Sequence, residues 1–150
     1  MTSYRIEKQP VDVVLALIDG SAHEGRLWLA AFSPHRAGPQ TVADLAAEPG
    51  AVLPFQSADG RFILVGRASI ASIMLETGAP ATEDLLTRIA AGVLLAGGHR
   101  HRGQLLAERG AGDRPTDLLN APDEWIRLED GDRIHWIAKR HILTVEPEAG

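Results

Sequence analysis

A segment near the start of the chain recurs near its middle. Residues 14–29, VLALIDGSAHEGRLWL, align on residues 92–107, GVLLAGGHRHRGQLLA, at an offset of 78, so that Gly20 meets Gly98. A recurrence of this length is typical of two copies of one small unit, because each copy needs the same apolar and turn positions. The chain is therefore expected to fold into an architecture that such a unit can form twice.

The similarity continues toward the end of each unit. Asp44-Leu45 recurs as Asp117-Leu118 at an offset of 73, and Ile70 recurs as Ile142 at an offset of 72. The drift indicates loops of different length between otherwise matching segments. Units of this size have thin cores, so we expect the two copies to support each other or to bind further copies.

Apolar, β-branched-rich runs separated by glycine, proline and aspartate predict five short strands in each unit. In the first unit these are 11–18, 25–32, 51–56, 61–65 and 69–75, and in the second 88–95, 103–108, 124–129, 133–138 and 141–145. A short helix opened by Thr41 is predicted after the second strand. Its counterpart, opened by Asp113 or Thr116, is predicted within Pro115–Ala121.

Short strands with sharp turns close readily into a small barrel, since closure removes unpaired strand edges. The sequence thus predicts a mainly β protein of two tandem five-stranded barrels, each with one short helix between its second and third strands. The predicted boundaries are 1–76 for the first barrel, 77–84 for a linker, and 85–150 for the second barrel.

Two stretches of the first unit resemble the two motifs of Sm proteins. Residues 13–20, VVLALIDG, followed by Gly25-Arg26-Leu27, resemble the first motif, an apolar strand, a turn and a Gly-x-Leu strand. Residues 63–73, ILVGRASIASI, resemble the second motif, with its Arg-Gly order reversed. The resemblance to Sm-like and SH3-like barrels, including bacterial Sm-type domains with a short helical insertion, implies small five-stranded barrels.

RNA-binding Sm proteins carry an acid and amide pair in the loop after the second strand. The corresponding loops here, 32–38 and 109–113, both lack that pair. The net charge of -5 also disfavours nucleic acid as the main partner, because phosphate binding depends on clustered Lys and Arg. An RNA-binding Sm-like ring remains an alternative interpretation.

Composition and motifs disfavour catalysis and membrane insertion. The chain has no cysteine, no GxSxG segment and no phosphate-loop frame, so we expect no enzyme and no cofactor. No run of eighteen apolar residues is present and the start lacks an apolar signal segment. We therefore expect a cytoplasmic protein without a membrane span.

The run His99-Arg100-His101-Arg102 is expected at the tip of the first hairpin of the second unit. Alternating charges there are typical of a solvated hairpin end, and a contact patch is the alternative. His99 and His101 would face the same side of a strand, so a histidine-based metal or ligand sensor is a further alternative. No HxxE or HExxH spacing completes such a site, so we expect no metal.

Two other histidines flank Trp136 in the second unit. The alternation of Ile134 and Trp136 with Arg133 and His135 predicts a half-buried strand whose polar side chains face solvent. His135 and His141 are accordingly predicted to be exposed.

The remaining features favour a non-catalytic assembly or adaptor module. We expect the fourth strand of one barrel to pair with the fifth strand of a neighbour, with apolar rims buried alongside. Self-association or a protein partner is expected. The residues expected at such interfaces are Val11, Val13, Trp28, Val65, Ile70, Trp125, Trp136 and Ile142.

Overall fold

The computed structural model of the chain describes residues 8–30, 40–76, 86–108, 114–121 and 123–148. The elements of the first half, residues 8–76, are β1 (Lys8–Leu17), β2 (Ala22–Ala30), α1 (Val42–Ala47), β3 (Val52–Ser57), β4 (Phe62–Gly66) and β5 (Ile70–Leu75). Those of the second half, residues 86–148, are β6 (Leu86–Leu95), β7 (Arg100–Glu108), α2 (Pro115–Asn120), β8 (Trp125–Asp130), β9 (Arg133–Ala138) and β10 (Ile142–Pro147). Short 3-10 turns, Arg67–Ser69 and Lys139–His141, precede β5 and β10.

The protein is mainly β, as predicted, and its ten strands form one antiparallel sheet. Their order is β10-β6-β7-β8-β9-β5-β1-β2-β3-β4. The first half contributes the order β5-β1-β2-β3-β4, and the second half contributes the matching order β10-β6-β7-β8-β9. In both halves the fifth strand therefore pairs with the first strand, and the other strands follow as a meander.

The prediction of two separate barrels is not confirmed by this sheet. β5 pairs with β1 on one side and with β9 on the other, so hydrogen bonding continues from one half into the next. In the described part of the chain the sheet does not close, because β10 and β4 each have a neighbour on one side only.

Each half has a hydrophobic core built mainly from its own strands. The first core is built around Leu15, Leu27 and Phe55, which are almost completely buried. The second is built around residues such as Leu105 and Leu128. In each half the short helix contributes to the core, through side chains such as Leu45 of α1 and Leu118 of α2.

The start of α1 follows the sequence prediction. Thr41 Oγ1 accepts a hydrogen bond from Asp44 N at 3.1 Å, and the Asp44 carboxylate accepts one from Thr41 N at 2.9 Å. This reciprocal capping satisfies two amide groups that the first turn of a helix leaves free. The start of α2 differs, because Arg114 is the N-cap and Thr116 lies inside the helix.

Several predicted features lie outside the described residues. These are the linker 77–84, the loops 32–38 and 109–113, and Asp113 as a helix cap.

Candidate functional site

The pairing of β5 with β9 joins the two halves. In this junction Ser72 lies opposite Ile137, Ile73 opposite Trp136, and Leu75 opposite Ile134. A fifth strand pairs here with a fourth strand within one chain. The pairing of such strands between neighbouring barrels stays a prediction.

Apolar side chains cross the junction in both directions. Trp125 and Ala138 of the second half belong to the first core, and Trp136 packs against it. In the opposite direction Ala71 of β5 belongs to the second core. The junction is therefore a packed interface as well as a pair of hydrogen-bonded strands.

The hairpin tips of the two halves also meet at the junction. A side chain added at Gly97 would place its Cβ 2.8 Å from both Gly20 N and Leu17 O, closer than real Cβ atoms approach. Beside it, His99 Nε2 donates a hydrogen bond to Leu17 O over 2.8 Å. The close approach of the two backbones thus depends on glycine at position 97.

The run from His99 to Arg102 is not the solvated tip that its charge pattern predicted. Arg100, His101 and Arg102 lie in β7, and the turn precedes them. Exposed Arg102 pairs with Glu148 at 2.6 Å, and Arg100 is exposed. The two histidines are half-buried because the tip and β5 of the first half lie against them.

One histidine of this run, His101, stacks on the ring of His135. His101 and His135 have ring centroids 4.2 Å apart, and His101 Nε2 shares a 3.1 Å hydrogen bond with Ser72 Oγ of β5. His135 is buried, which overturns the prediction that it is exposed. The reason is that β5 covers the edge of β9 and His101 covers the His135 ring.

Burial also changes the acid–base properties of the stacked rings. Burial, together with the smaller effects of the neighbouring His135 and His99, lowers the pKa of His101 to about 4. Burial lowers the pKa of His135 as well, with opposing influences from Asp130 and Arg133. Both rings are therefore held in the neutral form at neutral pH.

The residues expected at an interface lie mostly inside the chain. Val13, Val65, Ile70 and Trp125 are buried in the first core, and Val11 and Trp136 pack against it. Ile142 packs against the second core, and Trp28 is half-buried on β2.

The counterparts of the junction strands lie at the two ends of the sheet. At the offset of 72, β4 corresponds to β9 and β10 corresponds to β5. Phe62 is 68% exposed where its counterpart Ile134 is 8% exposed. Leu143 is 61% exposed where its counterpart Ala71 is fully buried. Each end strand thus presents apolar side chains at positions that the junction covers.

The exposed side chains on these end strands were missed by sequence reasoning. Phe62, Leu64 and Leu143 are all more than half exposed. A sequence signal was present, because residues 62–65 are apolar at four consecutive positions and so present apolar groups to both faces of a strand. That pattern predicts two-sided burial, which the described residues do not supply at β4.

Arg67 belongs to the Sm-like motif whose Arg-Gly order is reversed, and its side chain lies at the end of α1. Its guanidinium donates to Leu45 O at 3.2 Å and to Val52 O at 2.8 Å. Lys139 occupies the corresponding place in the second half, and its Nζ donates to Leu118 O and Ala121 O. Both cations satisfy carbonyl groups that helix ends leave free.

Other candidate sites can be stated briefly. In the part of the chain that is described, no three His, Asp or Glu side chains are grouped so as to hold a metal ion. His23, the counterpart of His101, is exposed and bonds Ser21 Oγ at 2.9 Å. None of the described helices is long and apolar enough to cross a membrane.

Comparisons with protein-family models, with curated proteins and with solved structures each found no match. The candidate site therefore depends on the geometry of this chain alone.

Proposed function

We propose that this protein is a non-catalytic assembly module whose copies join head to tail, β4 of one copy pairing with β10 of the next. The supporting observation is the difference in exposure between equivalent strands. Ile134 and Ala71 are buried because the junction covers them, whereas Phe62 and Leu143 are exposed at the same positions of the sheet ends. In the assembly, the paired strand of a second copy buries Phe62 and Leu143.

The junction inside the chain supplies the register of this contact. Ile73 lies opposite Trp136 and Ser72 opposite Ile137. Subtracting 72 from the β9 positions and adding 72 to the β5 positions places Val145 of one copy opposite Leu64 of the next. Thr144 then lies opposite Val65. Leu64 would pack against the second core of the neighbour, as Trp136 packs against the first core.

The expected gain comes mainly from apolar burial. Covering a side chain such as Phe62 or Leu64 contributes about 1.5–3 kcal/mol, whereas an exposed ion pair contributes about 0–1 kcal/mol. The unpaired backbone groups of two edge strands would also find partners. Surface charge is therefore a minor influence on assembly.

The contact is heterologous, because two different strands meet in it. Interfaces of this kind generate rings when the rotation between copies closes, and filaments when it does not. We further infer that each half is one Sm-like or SH3-like unit that curls toward a barrel. The common strand order and the two separate cores support that reading.

Cysteine cross-linking tests the proposed register directly, since the natural chain contains no cysteine. We expect Leu64→Cys protein mixed with Val145→Cys protein to form a disulfide-linked dimer under mild oxidation. Neither variant alone should do so, because the contact is not symmetric. A mixture of Leu64→Cys and Thr144→Cys is the matched control, since a slip of one residue moves a side chain to the other face.

Sedimentation provides the second measurement. The natural chain is expected to form assemblies that Leu64→Glu reduces to monomers, whereas Arg100→Ala sediments like the natural chain. Cross-links between identical variants would indicate a symmetric interface and contradict the proposal. A natural chain that stays monomeric at every concentration would also contradict it.

A further inference from the structure

Four histidines lie along the junction between the two halves. His99 donates to Leu17 O, His141 Nε2 donates to Ala68 O, and His101 bonds Ser72 Oγ, so each contacts a first-half residue. The fourth, His135, is on β9 itself, opposite Met74 of β5. Histidine is the side chain whose charge changes most readily near neutral pH, so its concentration in one interface invites a functional explanation.

A positive charge on the stacked rings at the centre of this group is energetically unfavourable. His101 and His135 lie 4.2 Å apart between ring centroids, and His135 Nδ1 is buried with no hydrogen-bond partner among the described residues. Protonation would place a bare N–H on that nitrogen, and protonation of both rings would place two like charges in contact. Both changes are costly in a buried site.

Within the described ranges, the groups that face the stack do not offset such a charge. His101 faces the rings of His135 and His99 and the neutral hydroxyl of Ser72. His135 faces Met74 of β5, and at the β8–β9 turn it senses Asp130 and Arg133, whose influences oppose each other.

We propose that the junction is a pH-sensitive latch: protonation of the stacked His101 and His135 separates β5 from β9 while the hairpins of each half persist. Opening would expose β5 and β9 as two further strand edges. The latch rests on contacts within one chain and is independent of the proposed assembly between copies.

The direction of the pH dependence follows from the shifted pKa values. The pKa of His101 is lowered from 6.5 to about 4 in the closed junction, and an opened junction restores the ordinary value. The open state therefore binds more protons between these limits, so closure is favoured above pH 6.5 and lost progressively as pH falls toward 4. From His101 alone, the opening equilibrium constant is expected to rise by at most about 30-fold between pH 8 and pH 5.

The first half provides a matched substitution. The position equivalent to His135 is Ile63 and the position equivalent to His101 is His23, which is exposed. His135→Ile therefore removes the stack with a side chain that the same strand already accommodates in the other half. His101→Gln is the second variant, because its amide can still bond Ser72 and does not protonate.

Pulsed hydrogen exchange of the full chain tests the latch. Samples equilibrated between pH 8 and pH 4.5 are labelled briefly at one common pH, and peptides covering β5 and β9 are compared with those covering β2 and β7. In the natural chain we expect protection of β5 and β9 to fall with acidification before that of β2. His135→Ile and His101→Gln should retain it to lower pH, whereas His23→Gln should behave like the natural chain.

Three results would overturn the latch: unchanged protection of β5 and β9 down to pH 4.5, simultaneous loss of protection in all strands, or variants that open at the same pH as the natural chain. If His135→Ile fails to fold at pH 8, His101→Gln alone decides between these results.

Discussion

β5 and β10 occupy the same place in their respective halves, yet one is interior and the other is surface. The first four residues of β5, Ile70–Ile73, are all buried, whereas Leu143 and Thr144 of β10 are exposed. The fourth strands differ in the same way, since β9 is buried along most of its length and β4 exposes Phe62 and Leu64. The difference arises because β5 and β9 cover each other.

Burial at these strands is therefore set by a neighbouring strand and not by the local sequence. β4 and β10 carry apolar side chains that match a covered strand, although in the described part of the chain each has a partner on one edge only. Exposed apolar edges promote pairing with another chain, and natural proteins usually protect them. In the proposed assembly, the end strands are the two sides of a second junction.

Two adjacent residues of β4 distinguish the contribution of this strand to folding from its proposed contribution to assembly. Val65 is 9% exposed and belongs to the first core, whereas Leu64 is 58% exposed. We expect Val65→Glu to lower the free energy of unfolding by about 4 kcal/mol, because it buries an unpaired carboxylate. Urea denaturation at low protein concentration measures this. Leu64→Glu should stay within about 0.5 kcal/mol of the natural chain there. Equal losses in the two variants would contradict the division of roles.

The strands themselves could be predicted from the sequence to within about three residues, because turns rich in Gly and Asp punctuate apolar runs of suitable length. β9 is predicted at its observed bounds, Arg133–Ala138. The capping of α1 by Thr41 could also be predicted, since it depends on residues three apart in the chain. These features are local, and local patterns contain the information for them.

The candidate site could be predicted only in outline. Pairing of a fifth strand with a fourth strand was expected, but its occurrence within the chain was not, because an edge strand does not specify which edge it meets. The burial of His135 was missed for the same reason. The alternation of His135 with Trp136 is typical of a strand with one solvent-exposed face. In the structure that face is covered by β5 and β7, which are distant from β9 in sequence.

Two neighbouring glycines distinguish the junction from an ordinary hairpin turn. Gly97 and Gly98 have similar positive φ angles, 89° and 86°. An added Cβ at Gly97 would collide with the backbone of the first-half tip, whereas at Gly98 it would meet nothing within 4 Å. We expect Gly97→Ala to cost about 3 kcal/mol, from conformational strain plus overpacking, and Gly98→Ala about 1–2 kcal/mol from strain alone. Thermal unfolding of the two variants measures the difference, and similar losses would show that the tips do not meet closely.

A reciprocal exchange between β5 and β10 gives the smallest expected effects and the most direct measure of how the strands differ. Ala71 lies fully buried in the second core, so Ala71→Leu is expected to cost about 1–3 kcal/mol through overpacking. At the equivalent position Leu143→Ala is expected to change the stability of the isolated chain by less than about 0.5 kcal/mol, because that side chain is largely exposed.

Denaturation at two protein concentrations separates stability from assembly. If β10 meets β4 of another copy, Leu143→Ala lowers stability only at the higher concentration, since the lost apolar burial belongs to the contact between chains. If Leu143→Ala instead lowers stability equally at both concentrations, the lost contact lies within the single chain. That result would contradict the equivalence of β5 and β10.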